Sequence, residues 1–72
     1  MQEEILRGFG KHLRDVRKKS GLSQERLAEL ADVHRNYTGR VERGGANPTL
    51  LVIVALARAL KVRPSKLLEK LR

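Results

Sequence analysis

Ser23–Gly44, "SQERLAELADVHRNYTGRVERG", decides how this chain folds. Ser23 is a good helix N-cap, and Leu27, Ala28, Leu30 and Ala31 behind it recur at helical spacing, making the inner side of a short helix. A second helix is expected to start near His34 or Arg35 and to end near Arg43, before Gly44-Gly45. Only about three residues, Ala31-Asp32-Val33, separate the two helices. Helices joined so tightly cross steeply, and Ala28, small and mid-helix, lets the second approach the first. Asp32 falls where the chain must reverse, a place that Asp tolerates better than most residues with a Cβ. Thr38 and Val41 point inward from the second helix, and Arg35, Asn36, Gly39, Arg40 and Arg43 lie on its outer side.

Outside this stretch the pattern stays helical. Before it, Ile5, Leu6, Phe9, Leu13 and Val16 mark one face of a helix from about Glu3 to Ser20, stopped by Gly21. After it, Thr49 can cap a helix over Leu50–Leu60, and Pro64 suits the first turn of a last helix running through "SKLLEKLR". No stretch shows strand alternation. The expectation is an all-α, compact five-helix domain over residues 1–72, with the helix pair at 23–43.

The 72 residues allow a single small core, which must come from helix packing, from a second subunit, or from both. Cysteine is absent and there are two histidines, His12 and His34, so neither disulfides nor a metal cluster are expected. Both histidines read as surface or capping residues. No paired carboxylates and no nucleophile–base arrangement appear, which argues against an enzyme, and no cofactor or small-molecule ligand is implied. The net charge of +8 favours polyanionic partners. Two aromatic residues, Phe9 and Tyr37, are too few for a single-strand stacking platform. The apolar run Leu50–Ala57 is far shorter than the about 20 residues of a membrane span, so no membrane role is expected. The acidic start "MQEEILRGF" lacks a signal-peptide pattern, which makes the cytoplasm the expected compartment.

Several pieces together resemble the Cro/phage-repressor (XRE) type of helix-turn-helix DNA-binding domain, a lambda-repressor-like fold. They are "SQERLAELA" after Gly21-Leu22, "VERG" closing the third helix, and "NPTLLVIVALARALKV" after it. "RNYTGRVERG" also resembles the small controller proteins of restriction–modification systems. The resemblance spans about Phe9 to Leu68. It implies a transcriptional regulator of double-stranded DNA whose third helix enters the major groove. Arg35, Asn36 and Arg40 fall where family members read base edges, and their chemistry suits guanine and adenine. Ser23, Gln24, Tyr37, Arg43 and Asn47 match phosphate-facing positions. Arg17 and Glu42 match an ion pair that ties the first helix to the third.

Four positions depart from the family pattern. His34 stands where the family often has Ser, which weakens the expected cap. Asp32 and Lys61 replace glycines, and Thr38 replaces a larger aliphatic residue, its hydroxyl free to bond back to a carbonyl one turn earlier. Gly39, in mid-helix at a cost of about 1 kcal/mol relative to Ala, would let the backbone come close to a base. Between Gln24 and Arg43 four cations and four acids cancel, so the excess charge lies in the first helix and the C-terminal region, Arg72 included.

The fourth helix is apolar nearly all round. With Ile53, Leu56, Ala57 and Leu60 facing the core, Leu51, Val54 and Ala55 are left for a homodimer interface within about residues 50–72. A dimer would place two reading helices on an inverted-repeat operator. The competing readings are a protein-interaction module, such as an antitoxin-like partner binder, and a non-specific nucleic-acid binder.

Overall fold

A computed structural model describes residues 2–71; Met1 and Arg72 lie outside the described residues. Five helices follow one another: α1 Gln2–Lys19, α2 Gln24–Ala31, α3 Tyr37–Glu42, α4 Leu50–Leu60 and α5 Pro64–Leu68. No strand occurs among the described residues. α1 packs on α3 and α5, and α4 packs on α2 and α5. The core between them is Phe9, Leu13 and Val16 of α1, Leu27 and Ala31 of α2, Val41 of α3, Leu56, Ala57 and Leu60 of α4, and Leu67 of α5.

The caps are those the sequence announces. Ser23 Oγ accepts the Arg26 N–H at 3.0 Å, and Thr49 Oγ1 accepts the Val52 N–H at 3.2 Å. α1 carries acids in its first turn and Arg17, Lys18 and Lys19 in its last, as the helix dipole favours. Four helices close the same way. A left-handed residue (Gly21, Asp32, Gly44 or Lys61) gives its N–H to the carbonyl three residues back, and the next N–H reaches five residues back. Asp32 and Lys61 therefore close α2 and α4 as sharply as the glycines close α1 and α3, at φ 58° and 59°.

Four sequence expectations need correction. α3 starts at Tyr37, not at His34 or Arg35, because His34 organises a turn ahead of it. His34 Nδ1 accepts the Asn36 N–H at 3.1 Å, and the His34 carbonyl accepts the Tyr37 N–H at 2.9 Å. α5 stops at Leu68, short of the expected run. Leu30 is 45% exposed rather than inward. Leu27, Ala28 and Ala31 fill the inner arc of α2, and Leu30 lies more than a quarter turn round the helix from its centre. His12 is buried, not a surface residue, and its Nε2 donates to the Lys66 carbonyl at 2.7 Å, joining α1 to α5.

Gly10, which no sequence motif picks out, sets the distance between α1 and α3. A Cβ there would come within 2.3 Å of the Val41 carbonyl oxygen and 2.6 Å of that of Glu42. Only glycine permits this backbone approach.

Candidate nucleic-acid interface

α2 and α3 meet through a turn that Asp32 makes possible, and Ala28 is fully buried at their junction side. Val41 and Thr38 anchor α3 inward, both buried. The Thr38 hydroxyl finds no hydrogen-bond partner, so the expected back-bond to the preceding turn is not made. What α3 turns outward, together with the start of α2, forms an open concave surface. It is lined by Arg17, Ser23, Gln24, Glu25, Arg35, Asn36, Gly39, Arg40 and Arg43.

This surface gathers Arg35, Asn36 and Arg40 with Ser23, Gln24 and Arg43. Arg35 and Asn36 stand on the turn entering α3, and Arg40 and Arg43 stand on or just after the helix. Tyr37 and Asn47 are not among its lining residues. Tyr37 is half-buried and packs against the core. Asn47 borders a separate apolar cleft with Ile5, Leu6, Phe9, Pro48, Ile53, Leu68 and Leu71.

Beneath the surface lies the Arg17–Glu42 pair. Arg17 Nε donates to Glu42 Oε2 at 2.6 Å and Nη2 donates to Oε1 at 3.1 Å, a fork-to-fork arrangement. Arg17 Nη1 also donates to the Leu22 carbonyl at 2.8 Å. The two side chains are only 10% and 3% exposed. Gln24 joins them, its Nε2 donating to Glu42 Oε1 at 2.9 Å. One carboxylate thus collects α1, the start of α2 and the end of α3. No local pattern signals the Gln24 contact, since Gln24 and Glu42 are 18 residues apart.

The same pairing changes the electrostatic reading. The zero charge of residues 24–43 does not hold locally. Glu42 is matched by Arg17 from outside the segment, and Glu29 is paired with Arg26 on α2. Arg35, Arg40 and Arg43 take part in no ion pair among the described residues, and Glu25 is the remaining acid of the lining. The concave face is therefore cationic, which a linear sum conceals.

Gly39 lies in the floor of this surface but is buried beneath two side-chain ends. A Cβ there would sit 3.1 Å from Arg43 Nη1 and 3.2 Å from Gln24 Oε1. The ends of these two side chains cover it, and a close approach to its backbone requires them to swing aside.

On α4, Leu50 and Leu51 are 70% and 80% exposed. Val54 and Ala55 are half-buried, and Ala55 packs partly against the core. No helix among the described residues is long and apolar enough to cross a membrane.

The Helix-turn-helix family matches residues 13–67. The chain is 43% identical to the control protein C.SmaI of Serratia marcescens over 68 residues, 94% of this chain and 77% of that protein. It is 44% identical to the control protein C.BamHI of Bacillus amyloliquefaciens over 70 residues, 96% of this chain and 86% of that one. Among solved structures, the restriction-modification controller protein C.AhdI of Aeromonas hydrophila superposes with a TM-score of 0.84 at 48% identity, covering 86% of this chain and 94% of that chain.

Proposed function

Because the chain belongs to the helix-turn-helix family of DNA-binding transcriptional regulators, and not to a family of enzymes, we propose that it is a sequence-specific regulator that binds double-stranded DNA as a homodimer. Its operator is an inverted repeat, and α3 enters the major groove of each half-site. The similarity to control proteins C.SmaI and C.BamHI and to the controller C.AhdI favours a controller of a restriction–modification operon within that class. The cytoplasm is the compartment this role requires.

The observation that carries the proposal is the concave surface. It places two arginines and an asparagine, Arg35, Arg40 and Asn36, beside a capped helix N-terminus and over a buried ionic support. Arg can give two hydrogen bonds to guanine O6 and N7, and Asn can pair with adenine N6 and N7. Ser23, Gln24 and Arg43 at the edges suit phosphates, which fix register without reading sequence. Tyr37 and Asn47 are proposed as outer phosphate contacts. A face built to hold a protein partner would instead present apolar anchors. The exposed Leu50 and Leu51 sit on α4, with Val54 and Ala55, which suits that helix to self-association. A two-fold dimer sets its half-sites about 34–36 Å apart.

Selection of bound sequences from a random duplex library at about 0.15 M salt tests the proposal, since weak phosphate-only binding fades there. An enriched inverted repeat is expected. Recovery of unenriched sequence would contradict it and leave α4 as the functional surface.

A further inference from the structure

A row of cations on α1 lies outside the concave surface. On α1, Arg7, Lys11, Arg14 and Lys18 follow one another at spacings of four, three and four residues, which puts them on one side of the helix. All four are exposed. None takes part in an ion pair among the described residues, where the pairs are Arg17–Glu42, Arg26–Glu29 and Lys66–Glu69. Over eleven residues the row runs about 16 Å along the helix axis. Glu4 stands at its N-terminal end. Asp15, one turn after Lys11, lines a cleft with Lys11 and Lys70 and a second one with Lys66 and Glu69, on the α5 side of the row.

The two ends of the row lie next to segments that form the concave surface. Arg7 lies against Gly44, the residue after Arg43; a Cβ on Gly44 would come within 2.6 Å of Arg7 Cγ. Lys18 adjoins Arg17, which holds Glu42 of α3, and its carbonyl accepts the Gly21 N–H in the turn leading to Ser23. The row therefore flanks the reading surface from the end of α3 to the start of α2. It lies outside the residues that line that surface.

We propose that this row is a second phosphate track. It holds the backbone of the duplex that continues beyond the base-contacted half-sites. The inference rests on the DNA-binding reading and extends it. Four cations in a straight row, with no ion pair among the described residues, match a rod that carries about one negative charge per 1.7 Å of axis, and they ask nothing of its sequence. An acidic protein is the other polyanion that could cover the row. DNA is favoured because the row borders the face that the proposal already places against DNA.

The test uses the triple variant Lys11→Gln/Arg14→Gln/Lys18→Gln, which spares Arg7 because it packs on Gly44. A matched variant, Arg63→Gln/Lys66→Gln/Lys70→Gln, removes the same charge from the α5 region. The probes are two duplexes carrying the selected inverted repeat, one ending at the half-sites and one extended by about 10 bp at each end. Salt dependence of binding is measured for each. On the long duplex the α1 variant is expected to lose about 0.9 of the log–log salt slope for each cation removed from a phosphate, up to about 5 for a dimer. On the short duplex the two variants are expected to behave alike, and base preferences are expected to stay unchanged. An equal loss on both lengths would overturn the proposal, as would equal effects of the two variants on the long duplex. No loss on either length would also overturn it and would turn the row toward an acidic protein. A failed selection is a different result: it removes the DNA-reading proposal itself before flank length is ever compared.

Discussion

Replacing Glu42 with alanine is expected to be among the most damaging single changes in this chain. The Glu42 carboxylate, 3% exposed, accepts two hydrogen bonds from Arg17 and one from Gln24. Without it the Arg17 guanidinium, 10% exposed, keeps only the Leu22 carbonyl as an acceptor. Breaking a buried pair by removing one partner costs about 3–5 kcal/mol, because the remaining charge stays desolvated and unmatched. A chain of 72 residues has about 4–11 kcal/mol of stability in total at the usual per-residue values. The variant should thus be close to unfolding at ordinary temperature. Urea denaturation followed by circular dichroism measures the loss, at fixed protomer concentration because the proposed dimer would add to apparent stability. The double variant Arg17→Leu/Glu42→Leu should recover most of that loss, since an apolar pair of similar size carries no stranded charge. A Glu42→Ala cost below about 1 kcal/mol, or a double variant no better than the single one, would refute the argument.

Three further outcomes follow from the packing. Thr38→Val should stabilise the fold by about 1 kcal/mol, because Thr38 is fully buried with its hydroxyl unpartnered; a lower urea midpoint would contradict this. Gly10→Ala should cost about 2 kcal/mol or more despite the better helix propensity of alanine, because the new methyl meets the Val41 and Glu42 carbonyls; an unchanged melting temperature would show that α1 and α3 can part freely. Leu51→Glu places a charge on the most exposed apolar side chain of α4 and should shift sedimentation toward a monomer while leaving the helical signal intact; an unaltered dimer would move the interface elsewhere.

The helices were legible because their ends carry local signals. Ser23 and Thr49 cap where they stand, Pro64 opens α5, and glycine or aspartate closes α1, α2 and α3. The proposed reading residues Arg35, Asn36 and Arg40 were legible through family resemblance and chemistry, and the fold brings them onto one face. What stayed hidden depends on contacts between distant parts of the chain. Gly8 and Gly10 look alike in sequence, yet a Cβ on Gly8 meets nothing within 4 Å and one on Gly10 meets backbone. His12 is polar and sits on an amphipathic helix, so its burial shows only once Lys66 is packed beside it. The start of α3 was misplaced because the His34 ring, rather than a hydroxyl, makes the preceding turn. The positive character of the concave face was masked because Glu42 is matched by Arg17 from outside the segment, and Glu29 and Asp32 do not line the face.

The most direct test of the central claim, that α3 reads bases, is the binding of Arg35→Ala to the selected operator and to a set of its single base-pair variants. The variant is expected to lose about 1–3 kcal/mol and to stop discriminating at one position in each half-site, keeping its preferences elsewhere. A loss of the same size on every sequence, with all preferences intact, would mean that Arg35 touches only the backbone and would contradict the claim.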